Sequence, residues 1–243
     1  MAKGKAKRNA EDPALILGTA SAAATEIEMH PISEARLIEV VAPSLNRPQE
    51  AQRLEQALAA CSVPEGYELK INVRRETQPR ALPAIVNELV AQSEAAIVVV
   101  LADHIVPKPG LIEAIVRAFE VNPEAGMTGL NIVNMPPLAG VREYCFFALS
   151  RPFIDHFPGR QVLCPDYHHF YADSELGRYA SAAGLFVYAQ DAEIETWHVN
   201  NGLAEKDETW KASRARKHED AATWERRQAA GLIWGTSFER MNP

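Results

Sequence analysis

Cysteine is scarce in this chain. The three present, Cys61, Cys145 and Cys164, are widely spaced and form no Cys-x-x-Cys pair. That argues against a disulfide framework and against a zinc ribbon. Long apolar runs are also missing. None approaches the ~20 residues that a membrane-crossing helix needs, so no spanning segment is expected. The N-terminus carries Lys3, Lys5, Lys7 and Arg8, but no apolar stretch follows them, so it does not read as a secretory signal. Glycine-rich phosphate loops are absent: there is no G-x-G-x-x-G after the first candidate strand and no G-x-x-x-x-G-K-[ST] anywhere. A Rossmann dehydrogenase and a P-loop enzyme are therefore disfavoured. No G-x-S-x-G nucleophile elbow occurs either. Positive charge is in deficit. A net charge of −7 excludes a surface that is basic throughout and leaves only local basic patches for any polyanion.

What is present reads as one domain with appendages. The length of 243 residues suits a single large domain. Residues 1–34 form a basic, Ala-rich arm with little periodicity, expected to be flexible. Residues 35–204 form the candidate domain, and 205–243 a helical extension. Within the domain, Leu37 to Ala42 is short, apolar and β-branched, and Pro43-Ser44-Leu45-Asn46-Arg47-Pro48 stops it. That pattern predicts a buried strand and a turn. Helical periodicity follows over 49–61, a strand over 67–73, and a helix over 82–91. The segment 95–101 (AAIVVVL) is apolar on both faces, as a central covered strand is. A helix over 110–121 and a strand over 126–133 complete the alternation. The order predicts an α/β fold with a mostly parallel sheet. Residues 134–172 are rich in aromatics, Pro and His and show weak periodicity. A helix is expected over 173–183, two short strands over 186–188 and 193–196, and one long charged helix over 207–230.

In such sheets ligands bind outside the carboxyl ends of the strands. Those ends carry Pro43 to Arg47, Arg74-Arg75-Glu76 and Asp103-His104. A carboxylate beside an imidazole can hold a divalent cation. Asp103 can equally cap the turn that follows it. Asp173 opens a helix after the aromatic stretch 167–171. It reads either as a cap in the first turn or as a general base in an aromatic-walled cleft. His198 follows the last strand and could bind metal or phosphate. Of His168 and His169, at most one is expected to do so, because neighbours on an extended chain point to opposite sides. The mixed charges over 206–227 are what a solvated helix carries.

Taken in order, these segments resemble the family 2-like glycosyltransferases of the GT-A fold, a Rossmann-like, mostly parallel sheet flanked by helices, here with a C-terminal helical tail. Val40 to Pro48 looks like the first strand and nucleotide-binding turn of that family. Val98 to Gly110 looks like its metal-motif strand and following helix. Tyr171-Ala172-Asp173-Ser174-Glu175-Leu176-Gly177 resembles its acidic-motif helix. The tail, with Asp207-Glu208-Thr209-Trp210 and the set Asp220, Trp224 and Arg227, resembles short soluble members, including phage-encoded ones. In the family pattern the metal motif usually ends in Asp; here its first position is Ala102 and its last is His104.

The resemblance implies a transferase that moves a sugar from a nucleotide-diphospho-sugar, expected to be a UDP-sugar, to an acceptor hydroxyl. Asp173 matches the catalytic base of inverting members. Pro43, Ser44, Asn46, Arg47, Glu76 and Asp103 would form the nucleotide site. Asp103, His104 and His198 would hold Mn2+ or Mg2+. Tyr171, Glu175 and Trp197 would face the sugar or acceptor. The expected acceptor is soluble, with a hydroxymethylated base in phage DNA as the leading guess, and the expected location is cytoplasmic. The alternative is a catalytically silent GT-A-like module or a subunit of a larger assembly.

Overall fold

The structure is a computed structural model that describes residues 37–135, 144–199 and 202–236. The candidate arm at 1–34 lies outside the described residues. Seven strands form one sheet in the order β2-β1-β3-β6-β5-β7-β4. They are β1 (Leu37–Leu45), β2 (Glu68–Glu76), β3 (Ile97–Val100), β4 (Ile105–Pro107), β5 (Met127–Ile132), β6 (Phe147–Ser150) and β7 (Phe186–Thr196). β1 is parallel to β2 and β3, and β5 is parallel to β7. β6 runs against both β3 and β5, and β4 runs against β7. It follows that β1, β2, β3, β5 and β7 share one direction. Their carboxyl ends lie along one edge, and that edge is where the site is built.

The sheet is covered on both faces because its central strands are apolar on both. Ile38, Val40, Ala42, Ile97 and Val99 join one core with Leu54, Leu58, Leu111, Ile115 and Phe119. These come from α1 (Pro48–Ala59) and α3 (Leu111–Val121). Val41, Val98 and Val100 join the other core with Ile85, Leu89, Phe153 and Leu176. These come from α2 (Leu82–Gln92), α4 (Arg151–Asp155) and α5 (Ala172–Ala182). The period-two alternation of side chains distributes one strand between two cores. Proline starts several helices. Pro48 opens α1 and Pro83 lies in the first turn of α2, where its fixed φ fits and its missing N–H costs nothing.

Several features differ from the sequence expectation: β1 runs past Pro43 to Leu45, and Ile105–Pro107, not expected as a strand, forms β4 against β7. The stretch 134–172 contains β6, whose four residues are all buried; with no polar face it offers no alternation to read. The two short strands expected over 186–188 and 193–196 are one strand, β7. Its register against β5 jumps from Ala189 to Glu193 between Leu130 and Asn131, a bulge that puts polar residues inside a strand. The expected helix over 207–230 is two helices, α6 (Glu208–Ala215) and α7 (Lys217–Ala229), broken at Arg216. The two are anchored to different parts of the domain, and the break lets each follow its own anchor. Among the described residues no helix is long and apolar enough to cross a membrane.

Candidate active site

β1, β3 and β7 each deliver a turn to the same edge. At the end of β1, Ser44 is buried and its Oγ donates to Asp103 Oδ2 at 2.9 Å. Asn46 takes a left-handed backbone, φ 53°, and its N–H donates to the Glu76 carbonyl at 3.1 Å. That contact ties the β1 turn to the end of β2. The Glu76 carboxylate is held by Arg80 at 3.4 Å and Arg74 at 3.9 Å. Pro43 sits half-buried beside Arg74 in the β1–β2 register. Arg47 bridges two carboxylates. It donates to Asp103 Oδ1 at 3.3 Å and, through Nε and Nη2, to both oxygens of Asp207 at 2.6 and 2.8 Å. Asp207 also caps α6 by accepting the Trp210 N–H at 2.7 Å, as a helix N-cap does.

Asp103 is 4% exposed. Burial pushes its carboxyl up, but His104, Arg47 and Ser44 outweigh that and hold it below the usual carboxylate range. It is therefore ionised at neutral pH. His104 Nδ1 lies 3.5 Å from Asp103 Oδ1. Antiparallel pairing of β4 with β7 sets Ile105 opposite Thr196, and the Trp197 N–H donates to the His104 carbonyl at 2.8 Å. That register brings the rings of His104 and His198 to 5.3 Å. Burial, and then the neighbouring His104, Arg214, Arg47 and His169, lower His198 to about 4. Its imidazole is thus neutral at pH 7, the form that ligates metals.

Asp173 stands in the first turn of α5. Its Oδ1 accepts the Ser174 N–H at 2.8 Å, and the Cys145 thiol donates to the same carboxyl. Desolvation outweighs these contacts and raises Asp173 to about 6, where a general base for neutral pH is best placed. The residue lies in the first helical turn without capping it, since the cap position is Tyr171, and its carboxyl is perturbed upward.

The other expected residues divide. His169 lies among Asp220, His104, Arg214 and Arg47, whereas His168 Nε2 turns to Glu219 at 3.4 Å, so the pair does face two ways. Trp197 is 40% exposed and carries the Arg53 guanidinium 4.4 Å from its ring centre. Tyr171 stacks on Trp224 at 5.5 Å. Glu175 faces the tail. It is 3% exposed, and its oxygens accept from Tyr167, Arg227 and the Trp234 N–H, so its role is to fasten the tail. Sequence reasoning gave no site role to Cys145, Asp207 or Asp220. Only the two tail aspartates carried a signal, their place in the tail resemblance.

Among the described residues no three His, Cys, Asp or Glu side chains are close enough to hold a metal by themselves. Asp103 and His104 nevertheless present a carboxylate and an imidazole within reach of a common cation. Two protein donors suffice for a hard cation that takes its other ligands from water and substrate phosphates.

No family model and no curated protein matches the chain. Solved structures do. The chain is similar to the mannosyltransferase PcManGT from Pyrobaculum calidifontis, solved with GDP-Man and Mn2+. Identity is 13% and the TM-score 0.54, over 82% of this chain and 67% of that one. It is also similar to a mutant of Drosophila beta-1,4-galactosyltransferase 7, solved with manganese, UDP-Gal and xylobiose. There identity is 11% and the TM-score 0.50, over 74% of this chain and 79% of that one. The chain has the GT-A fold. In this GT-A sheet the turns after β1, β3 and β7 bring Arg47, Asp103, His104 and His198 together, and Asp173 stands in the first turn of α5.

Proposed function

We propose that the protein is a glycosyltransferase that uses a nucleotide-diphospho-sugar, with Asp173 as the base that activates the acceptor hydroxyl. The observation that carries this reading is an ionised Asp103 set against His104 at the carboxyl edge of a GT-A sheet, together with a desolvated Asp173, raised to about 6, in the first turn of α5. The relatives in fold were solved with Mn2+ or manganese and a nucleotide sugar. Asp103 and His104, with His198 beside them, would hold the divalent cation. When bound, it neutralises the diphosphate and so improves the leaving group. Ser44 orients Asp103, and Arg47, held between Asp103 and Asp207, would turn its positive charge to the diphosphate. The acceptor oxygen attacks the anomeric carbon as its proton passes to the Asp173 carboxylate. The bond to the diphosphate oxygen breaks, and the nucleoside diphosphate leaves with the electron pair. Configuration at the anomeric carbon inverts.

UDP is the nucleotide we favour, with GDP the second to try. For the acceptor, one observation favours a nucleic acid. Arg214 and Lys217 lie over Phe170, and Arg214 and Lys206 over Trp210, at 5.1 to 5.8 Å. Alternating cations and rings suit unstacked bases. Binding to hydroxymethylated DNA should then fall steeply as salt rises; a flat response removes DNA as acceptor.

The main test is release of nucleoside diphosphate from a panel of UDP- and GDP-sugars, with Mn2+ or Mg2+ and with chelator. Turnover is expected with metal and lost with chelator. Asp173→Asn should cut the rate on the order of 10^2- to 10^4-fold while leaving thermal stabilisation by the nucleotide in place. A wild-type protein that binds UDP or GDP but turns over no donor would replace this reading with a silent binding module.

A further inference from the structure

Asp220, Trp224 and Arg227 follow one another at spacings of four and three, so they share one face of α7. All three touch the segment that surrounds Asp173. The Asp220 carboxylate accepts the N–H of His168 at 2.7 Å on Oδ1, and those of His169 and Phe170 at 2.9 Å each on Oδ2. A carboxylate in a first helical turn ordinarily serves its own helix. This one, 1% exposed, instead serves three successive amides of a distant loop. Trp224 stacks on Tyr171 with the rings inclined by 23°. Arg227 donates to both oxygens of Glu175 at 2.7 to 3.2 Å, and to Asp166 at 2.8 Å.

Tyr171 shows why the loop needs holding. Its φ of 71° and ψ of −13° lie in the left-handed region, unfavourable for an aromatic residue without local compensation. Such a backbone persists only where its surroundings over-determine it. Here the residues before Tyr171 are bound by Asp220, its ring by Trp224, and the helix after it by Arg227. Asp173 comes two positions later. His169, on the other side, lies among His104, Arg214 and Arg47.

We propose that this face of α7 is a clamp for the acid–base centre, and that Asp220 is its positioning residue, fixing the backbone at 168–170 so that His169 and the first turn of α5 keep their places. Asp220 touches no reacting atom and acts through the loop. The proposal rests on Asp173 being the base of the transfer reaction.

The experiment compares wild type, Asp220→Asn, Asp220→Ala and, as a control on the exposed side of α7, Glu225→Gln. Asparagine keeps one acceptor oxygen and alanine none, so effects should be graded. Amide hydrogen exchange at 168–170 should quicken about tenfold or more in the alanine variant, less in the asparagine variant, and not in the control. A carboxyl-carbon NMR titration of Asp173 should move down from about 6 in the alanine variant, because a loosened loop admits water. With a donor that turns over, kcat should fall about tenfold or more while KM for the donor changes little. If alanine prevents folding, the asparagine variant carries the same three readings. Unchanged exchange at 168–170 overturns the proposal. So does faster exchange with the Asp173 titration and kcat both unchanged, since the contact is then structural only. A wild type that turns over no nucleotide sugar defeats the transferase reading and with it the catalytic purpose of the clamp, while exchange at 168–170 and the titration of Asp173 still decide whether Asp220 fixes this segment.

Discussion

Asp173 carries two consequences of opposite kind. Burial raises its carboxyl to about 6 from an ordinary value near 3.8. A raised folded-state value means that the fold prefers the protonated group. The stability this group contributes is fully present below the unfolded value and is lost as pH rises through about 6. At pH 8 the ionised carboxylate is therefore a burden on the fold, although it is the form a base requires. Asp173→Asn should stabilise the protein at pH 8 by about 1–3 kcal/mol, seen as a higher Tm in calorimetry, and this gain should vanish near pH 4. Activity should run the other way, with an acid limb in kcat near pH 6. A variant that is less stable than wild type at pH 8 would show that the carboxylate is well solvated there. Asp103 has the opposite sign: its partners hold it low, so its stabilisation is present above the unfolded value and is lost as pH falls through its lower folded value.

At the scale of elements, close approach decides what can be changed. Gly126 leads into β5 and lies against Phe153 of α4; a Cβ added there would stand 2.3 Å from the Phe153 ring. Phe153 is fully buried and has no room to swing aside. Gly126→Ala should therefore cost about 1–3 kcal/mol through overpacking, read as a lower denaturation midpoint with an unchanged m-value. A neutral result would mean that α4 shifts freely on the sheet. The elements that were legible in the sequence are those whose periodicity is local. β1, β3, α1 and α3 have uninterrupted apolar patterns, and with them came Ser44, Arg47, Asp103 and His104. β6 was not legible, because four residues that are all buried carry no period. The break at Arg216 was not legible either, since both sides of it read as charged helix. The contacts that complete the site were beyond reach for another reason. Arg47 and Asp207 are 160 residues apart, and Cys145 meets Asp173 from a separate segment. A side-chain contact between distant segments leaves no trace in spacing.

For the whole molecule the question is whether the tail belongs to the domain or hangs from it. Its charges and its weak apolar pattern suggest an appendage, yet its anchors are buried. Arg227 and Glu175 pair with side chains 9% and 3% exposed, and Asp220 is sealed against the 168–170 amides. Breaking a buried, hydrogen-bonded pair by removing one partner costs about 3–5 kcal/mol, too much for a tail that frays independently. The distribution of tryptophan makes this measurable. Of the four tryptophans, Trp210, Trp224 and Trp234 lie in the tail, and Trp197 at the sheet edge. Tryptophan fluorescence therefore reports mainly the tail, and far-UV circular dichroism reports the sheet and its helices. In urea both signals should change in a single shared transition, as one cooperative unit requires. Arg227→Met should lower that midpoint for both probes together. Fluorescence that moves at lower urea than the dichroism, in the wild type, would show that the tail unfolds first and that the clamp on the Asp173 segment is lost while the sheet is still intact.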